Sequence, residues 1–227
     1  LRNARGGNNP DVVQAALDIE RFGAQGITVH PRPDERHIRY ADVRALRPVL
    51  TTEFNIEGYP TPDFIDLVLE VKPAQVTLVP DPPGVLTGNA GWDAMARKSE
   101  LRPIVERFKA AGVRTSLFMG TDLEQVAHAS DTGTDRIELY TGPYGSCHDA
   151  AEKAGKQLEK LGKTADLAHA AGLGVNAGHD LTVASLPALA RRIPYLAEVS
   201  IGHGLTADAL EYGMAQTVRR FLAACGR

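Results

Sequence analysis

Cysteine is scarce in this chain. Only Cys147 and Cys225 occur among 227 residues, too few for a disulfide framework, and a reducing cytoplasm is the expected compartment. A basic field is missing too. The formal net charge is −3, which gives no electrostatic footprint for nucleic acid. That balance does not exclude anionic ligands, because a pocket can be positive locally. No apolar run approaches the roughly 18 residues of a membrane span, and no secretory signal is visible in the sequence. There is no low-complexity linker and no shift in composition, so a single domain over residues 1–227 is expected. Apolar residues make up 43% and charged residues 23%, enough for a packed core and against wholesale disorder.

What is present is an alternation of short β-rich runs with longer amphipathic segments. Strands are expected at 26–30, 52–57, 75–80, 114–119, 136–141, 174–177 and 198–201. Helices are expected at 11–22, 40–47, 61–71, 99–111, 122–130, 149–171, 183–193 and 206–224, and the first ten residues read as loop. Gly23, Gly112 and Gly172 each fall between a helix and the next strand, where a left-handed cap suits a residue without Cβ. Strand–helix alternation indicates βα units and a parallel sheet. The length suits one (β/α)₈ barrel of the TIM type, which runs to about 250 residues. Seven strands are visible and the first element is a helix, so an eighth strand is expected upstream of Leu1, in a segment of roughly 10–20 residues.

Barrels of this class place their chemistry at the carboxyl ends of the strands. There the sequence puts His30 with Arg32 and His37, then Glu57, then Thr87 in Leu86-Thr87-Gly88. It continues with Glu138 before Thr141-Gly142, Asn176-Ala-Gly-His179, and Gly202-His203. Each has an ordinary structural reading: a histidine after a strand is often only hydrogen-bonded, and the glycines can simply make turns. Glu138 is the least ordinary. It interrupts Arg136-Ile-Glu-Leu-Tyr140, where parallel strands are usually apolar on both faces and a buried carboxylate is costly unless paired. Convergence on one rim points to an active site. Several His and Glu side chains suit proton transfer near neutral pH. Arg32, His37 and the backbone near Gly202 suit phosphate. The lysines fall on expected helices or their ends, which argues against a covalent lysine. His and Glu are also competent zinc ligands, so a metal site stays open on the residues alone.

The stretches Leu1-Arg-Asn-Ala-Arg5-Gly, Gly26-Ile-Thr-Val-His30-Pro-Arg32, Asp34-Glu-Arg-His37-Ile, Phe54-Asn-Ile-Glu57, Val175-Asn-Ala-Gly-His179 and Ser200-Ile-Gly-His203 resemble the pyridoxine 5'-phosphate synthase family. The likeness runs from the first residue to the last. It implies a (β/α)₈ barrel with extra helices. It also implies condensation of 1-deoxy-D-xylulose 5-phosphate with 3-amino-2-oxopropyl phosphate to pyridoxine 5'-phosphate, phosphate and water. No metal or organic cofactor is implied, and the substrate's own amine would form the Schiff base. By the resemblance, His30 and Glu57 are general bases, His179 a proton donor and Glu138 a stabiliser of the transition state. Arg32, His37 and Thr87 would contact the deoxyxylulose phosphate. Arg5, Asp180, Gly202 and His203 would contact the amino ketone phosphate, although Asp180 stands where some relatives have Gly. The family's first strand carries an Asn and an Asp-His pair that contact substrates, and this chain begins just after them. A homo-oligomer is implied as well. Two rival readings are another sugar-phosphate barrel enzyme, such as an epimerase or aldolase, and a non-catalytic barrel that binds phosphate ligands.

Overall fold

The computed structural model describes residues 1–82, 84, 90–147 and 150–226, with Arg5 described by its backbone alone. A 3-10 turn at Arg2–Arg5 opens the chain where loop was expected. It is pinned by Arg2, whose guanidinium donates to both carboxylate oxygens of Asp42 at 2.6 Å. Then follow α1 (Val12–Arg21), β1 (Gly26–Val29), α2 (Tyr40–Leu46), β2 (Glu53–Gly58), α3 (Pro62–Val71), β3 (Gln75–Leu78) and α4 (Ala94–Ala110). After these come β4 (Arg114–Met119), α5 (Leu123–Asp131), β5 (Arg136–Tyr140), α6 (Gly142–Gly145), α7 (Ala151–Ala170) and β6 (Gly174–Gly178). The chain closes with α8 (Leu186–Arg192), β7 (Leu196–Ser200), α9 (His203–Tyr212) and α10 (Met214–Ala224). No described helix is long and apolar enough to cross a membrane.

Local chemistry explains the helix starts. Asp11, Thr61, Asp93 and Asp122 each accept a hydrogen bond from a backbone N–H in the first turn of α1, α3, α4 and α5, satisfying one of the donors a helix leaves unpaired. The Asp93 cap sets the start of α4 five residues ahead of the expected 99. The run 206–224, expected as one helix, is two. Gly213 sits between them at φ 74° and ψ 151°, a backbone region open essentially to glycine alone. The strand expected at 198–201 is Leu196–Ser200. The one-turn α6 was not expected.

All seven described strands are parallel and lie in sequence order in one sheet. Flat, β3 and β7 would stand four strand spacings apart, roughly 19 Å. Instead Gln75 of β3 donates to Glu198 of β7 at 3.0 Å. The sheet has therefore curled until side chains from distant strands meet inside it, which is the (β/α)-barrel arrangement.

The strands are not apolar on both faces. Ile137 and Leu139 are fully buried on the face toward the helices, whereas Arg136 and Glu138 point inward. Arg136 donates to Glu198 at 2.6 Å. Glu198 also accepts from Arg114 at 3.0 Å and from Asn176 at 2.8 Å, so the barrel floor is a paired polar layer. Pairing offsets the cost of desolvating these charges, where barrels more often stack branched apolar side chains. The same period of two carries Glu57 and Glu138 inward at the opposite end.

Candidate active site

His30 follows the last residue of β1, and Glu57 is the penultimate residue of β2. Pairing of these neighbouring strands brings the His30 Nδ1 to 3.8 Å from Glu57 Oε2. Burial lowers the imidazole pKa to about 3, helped by the positive neighbours Arg32, Arg36, His37 and His179. Burial raises the Glu57 carboxyl to about 7, opposed by Arg32. His30 is therefore neutral at working pH and able to accept a proton. Glu57 changes protonation state near neutrality. Two groups with separated pKa values side by side are what an acid–base site requires.

Glu138 lies deeper on β5 and is 3% exposed. Its pKa is pushed well up, first by burial, then by the charges of Glu57 and Glu198, with a hydrogen bond from Thr77 opposing. Its Oε2 is buried without a hydrogen-bond partner among the described residues. Its Oε1 lies against Gly178 so closely that a Cβ on that glycine would overlap it. The glycine of Asn-Ala-Gly-His thus leaves room for the carboxyl on the neighbouring strand.

His179 comes immediately after β6. It packs edge-on against Tyr140, with centroids 5.2 Å apart at 82°, and against Phe118 at 6.2 Å. Its Nδ1 stands 3.5 Å from Asp180 Oδ2. His179 and Asp180 both have positive φ, 91° and 55°, uncommon for residues with a side chain. Thr141 holds this turn through the carbonyls of Gly178 and His179.

A cleft of about 330 Å³ opens beside the pair and is lined by His30, Arg32, Arg36, Tyr40, Tyr59 and Asp81. Burial raises the Asp81 pKa, and Arg32 and His179 oppose the shift. So His30 and Arg32 line this cleft, Glu57 and His179 lie within electrostatic reach of them, and Glu138 within reach of Glu57. The His37 carbonyl accepts from Arg2 at 3.1 Å and Asn3 at 3.0 Å, which fixes that loop against the turn bearing Arg5. Gly202 and His203 are exposed at the start of α9. Their helix leans on the same region, since a Cβ on Gly204 would come within 2.5 Å of the Leu181 carbonyl. Thr87 lies outside the described residues, as does the side chain of Arg5. Sequence reasoning overlooked Asp81 and Tyr59. Each sits within three residues of a strand's carboxyl end, and that position was the available signal.

The comparisons with known proteins bear on the family and the fold. The family described as pyridoxal phosphate biosynthesis protein PdxJ matches residues 1–227. The pyridoxine 5'-phosphate synthase of Allorhizobium ampelinum is 59% identical, with 100% of this chain and 93% of that protein covered. That of Phocaeicola vulgatus is 56% identical, covering 97% of this chain and 92% of the relative. Among solved structures, a thiamine phosphate pyrophosphorylase from Pyrococcus furiosus superposes with a TM-score of 0.65 at 15% identity, over 96% of this chain and 90% of that one. Phosphoribosylanthranilate isomerase from Thermotoga maritima gives 0.60 at 13%, over 94% and 93%. At such identities the structural likenesses speak for the barrel fold alone. The full-length match and the close relatives show that the chain belongs to the PdxJ family of pyridoxal phosphate biosynthesis proteins.

Proposed function

We propose that this chain joins 1-deoxy-D-xylulose 5-phosphate to 3-amino-2-oxopropyl phosphate, releasing phosphate and water and forming pyridoxine 5'-phosphate. Membership of the family and relatives bearing that enzyme's name support the reaction. The observation that carries the chemistry is the His30–Glu57 pair, a neutral imidazole 3.8 Å from a carboxyl with a pKa near 7.

The condensation begins when the amine of one substrate attacks the ketone of the other. It needs no protein amine, and every lysine of the chain lies on α4, α7 or the cap of α3. Closing and aromatising the ring then demands several proton removals and donations. His30, neutral at rest, accepts a proton from the substrate and passes it on. Glu57 accepts and returns them near neutrality. His179, on the far side of the mouth, donates to departing oxygen. Glu138, whose burial favours the protonated form, donates a hydrogen bond to charge developing on the substrate. Arg32 and His37 hold the deoxyxylulose phosphate together with Thr87. Arg5, Asp180, Gly202 and His203 hold the other phosphate. Residues 1–227 act as one catalytic domain, in the cytoplasm and as a homo-oligomer. Incubating the protein with both substrates tests the reading: pyridoxine 5'-phosphate should accumulate only when both are present. Turnover of either substrate alone would favour an epimerase or aldolase instead.

A further inference from the structure

We propose that Thr141 is the positioning residue of His179, holding its imidazole over the barrel mouth by clamping two successive carbonyls with its amide and its hydroxyl. The inference rests on the reading of His179 as the proton donor. His179 is aimed by an unusual backbone. Both it and Asp180 are left-handed, at φ 91° and 55°, and neither is glycine. Such a conformation persists only when its surroundings enforce it. The imidazole gives little help. Its Nδ1 is buried without a hydrogen-bond partner among the described residues, and its other neighbours are the edges and faces of Tyr140 and Phe118. The carboxylate or carbonyl that commonly fixes a catalytic histidine by its second nitrogen is not engaged here: Asp180 Oδ2 stands 3.5 Å away. The backbone must therefore do the aiming.

Thr141 is where that backbone is gripped. It is fully buried and directly follows β5. Its amide donates to the Gly178 carbonyl at 2.9 Å. Its Oγ1 lies 2.6 Å from that carbonyl and 2.5 Å from the carbonyl of His179. Two consecutive carbonyls aimed at one buried point repel each other unless donors stand between them; the amide serves the Gly178 carbonyl, which leaves the single hydroxyl proton for that of His179. The turn is backed from two further sides. A Cβ on Gly145 of α6 would overlap the Asp180 carbonyl, and one on Gly204 of α9 would crowd the Leu181 carbonyl. With the hydroxyl gone, the His179 peptide is free to rotate, and the imidazole leaves its line to the substrate.

Thr141→Ser and Thr141→Ala lack the same methyl and differ only in the hydroxyl. Thr141→Ala should lower kcat by about 10- to 100-fold, the range for a misplaced catalytic group, with KM for both substrates within about twofold. Thr141→Ser should keep kcat within about threefold of the wild type. On a His179→Asn background the alanine change should cost less than about twofold more, because the two residues act as a unit. Thermal midpoints recorded alongside show that each variant is folded. If Thr141→Ala does not fold, Thr141→Cys, of similar volume and a weak donor, replaces it in the same comparison. Equal kcat in the serine variant and the hydroxyl-free variant overturns the inference and leaves the proton-donor reading of His179 standing when His179→Asn is inactive. A full, independent loss on the His179→Asn background overturns it as well. Near-normal turnover of His179→Asn alone overturns the proton-donor reading, and this inference with it.

Discussion

The carboxyl of Glu138 occupies the space that a side chain at position 178 would need. Strand pairing sets Glu138 beside Asn176 and Tyr140 beside Gly178, so the Glu138 side chain leans toward the barrel mouth, across the face of Gly178. A methyl at Gly178 must push the carboxyl aside or push β6 outward. Gly178→Ala should cost about 1–3 kcal/mol in stability, as overpacking does, and lower kcat by at least about 10-fold, since a small displacement of a reacting group is costly. Denaturant unfolding and steady-state kinetics check both. In a Glu138→Ala background the stability cost should largely vanish; an unchanged cost would show that the carboxyl is not the obstacle.

Glu138 also has a price in stability that depends on pH. Its pKa in the fold is raised above that of an unfolded glutamate. Its contribution is fully present below the unfolded value, about 4.3, and is lost as pH rises toward the folded value. Glu138→Gln removes that titration. The variant's Tm should gain on the wild type as pH goes from 5 to 8, by about 2–4 °C for each kcal/mol recovered, while turnover falls. A Tm difference that stays constant across that range would contradict the burial account.

Much of this was readable from the residues. Seven strands and the rim histidines followed from periodicity and from glycines such as Gly112 and Gly172, whose φ values of 79° and 80° are the left-handed caps expected. Glu138 stood out as a charge inside a strand. Its surroundings were not legible, because the alternation of Arg136 and Glu138 inward with Ile137 and Leu139 outward has meaning only once Glu198 and Arg114 arrive from other strands. The break at Gly213 was hidden because one glycine is tolerated in a helical pattern, and only its φ and ψ reveal the stop. Asp81 was hidden by composition: in Val79-Pro80-Asp81-Pro82 it reads as turn chemistry, and only the fold turns it toward Arg32 and His179.

The proposed role of Glu57 as a base predicts a pH dependence of the reaction. With its pKa near 7 and its role that of a base, kcat/KM should rise with pH through about 7. His30, at about 3, should add no limb near neutrality. Glu57→Gln should lose at least about 10²-fold in turnover, the scale of general-base removal, and lose the limb too. A near-normal rate, or the same limb in the variant, would remove Glu57 from the chemistry.

Arg32 should separate the two phosphates. It lines the cleft with His30 and Asp81, away from the start of α9. Arg32→Ala should weaken the deoxyxylulose phosphate by about 1.5–3 kcal/mol, as expected for a charge-assisted pair, and leave the amino ketone phosphate nearly unchanged. Calorimetry on each single-substrate complex decides it, and equal weakening of both would contradict the division of the site.

The central claim is that this barrel builds a pyridine ring around its substrate's own amine, using histidine and glutamate side chains alone for the proton transfers. The direct measurement is turnover of ¹⁵N-labelled 3-amino-2-oxopropyl phosphate with 1-deoxy-D-xylulose 5-phosphate, followed by nitrogen NMR. The account predicts the label in the ring nitrogen of pyridoxine 5'-phosphate, at a rate that collapses in Glu57→Gln. Label released as ammonia, or deoxyxylulose phosphate consumed with no labelled ring formed, would contradict it.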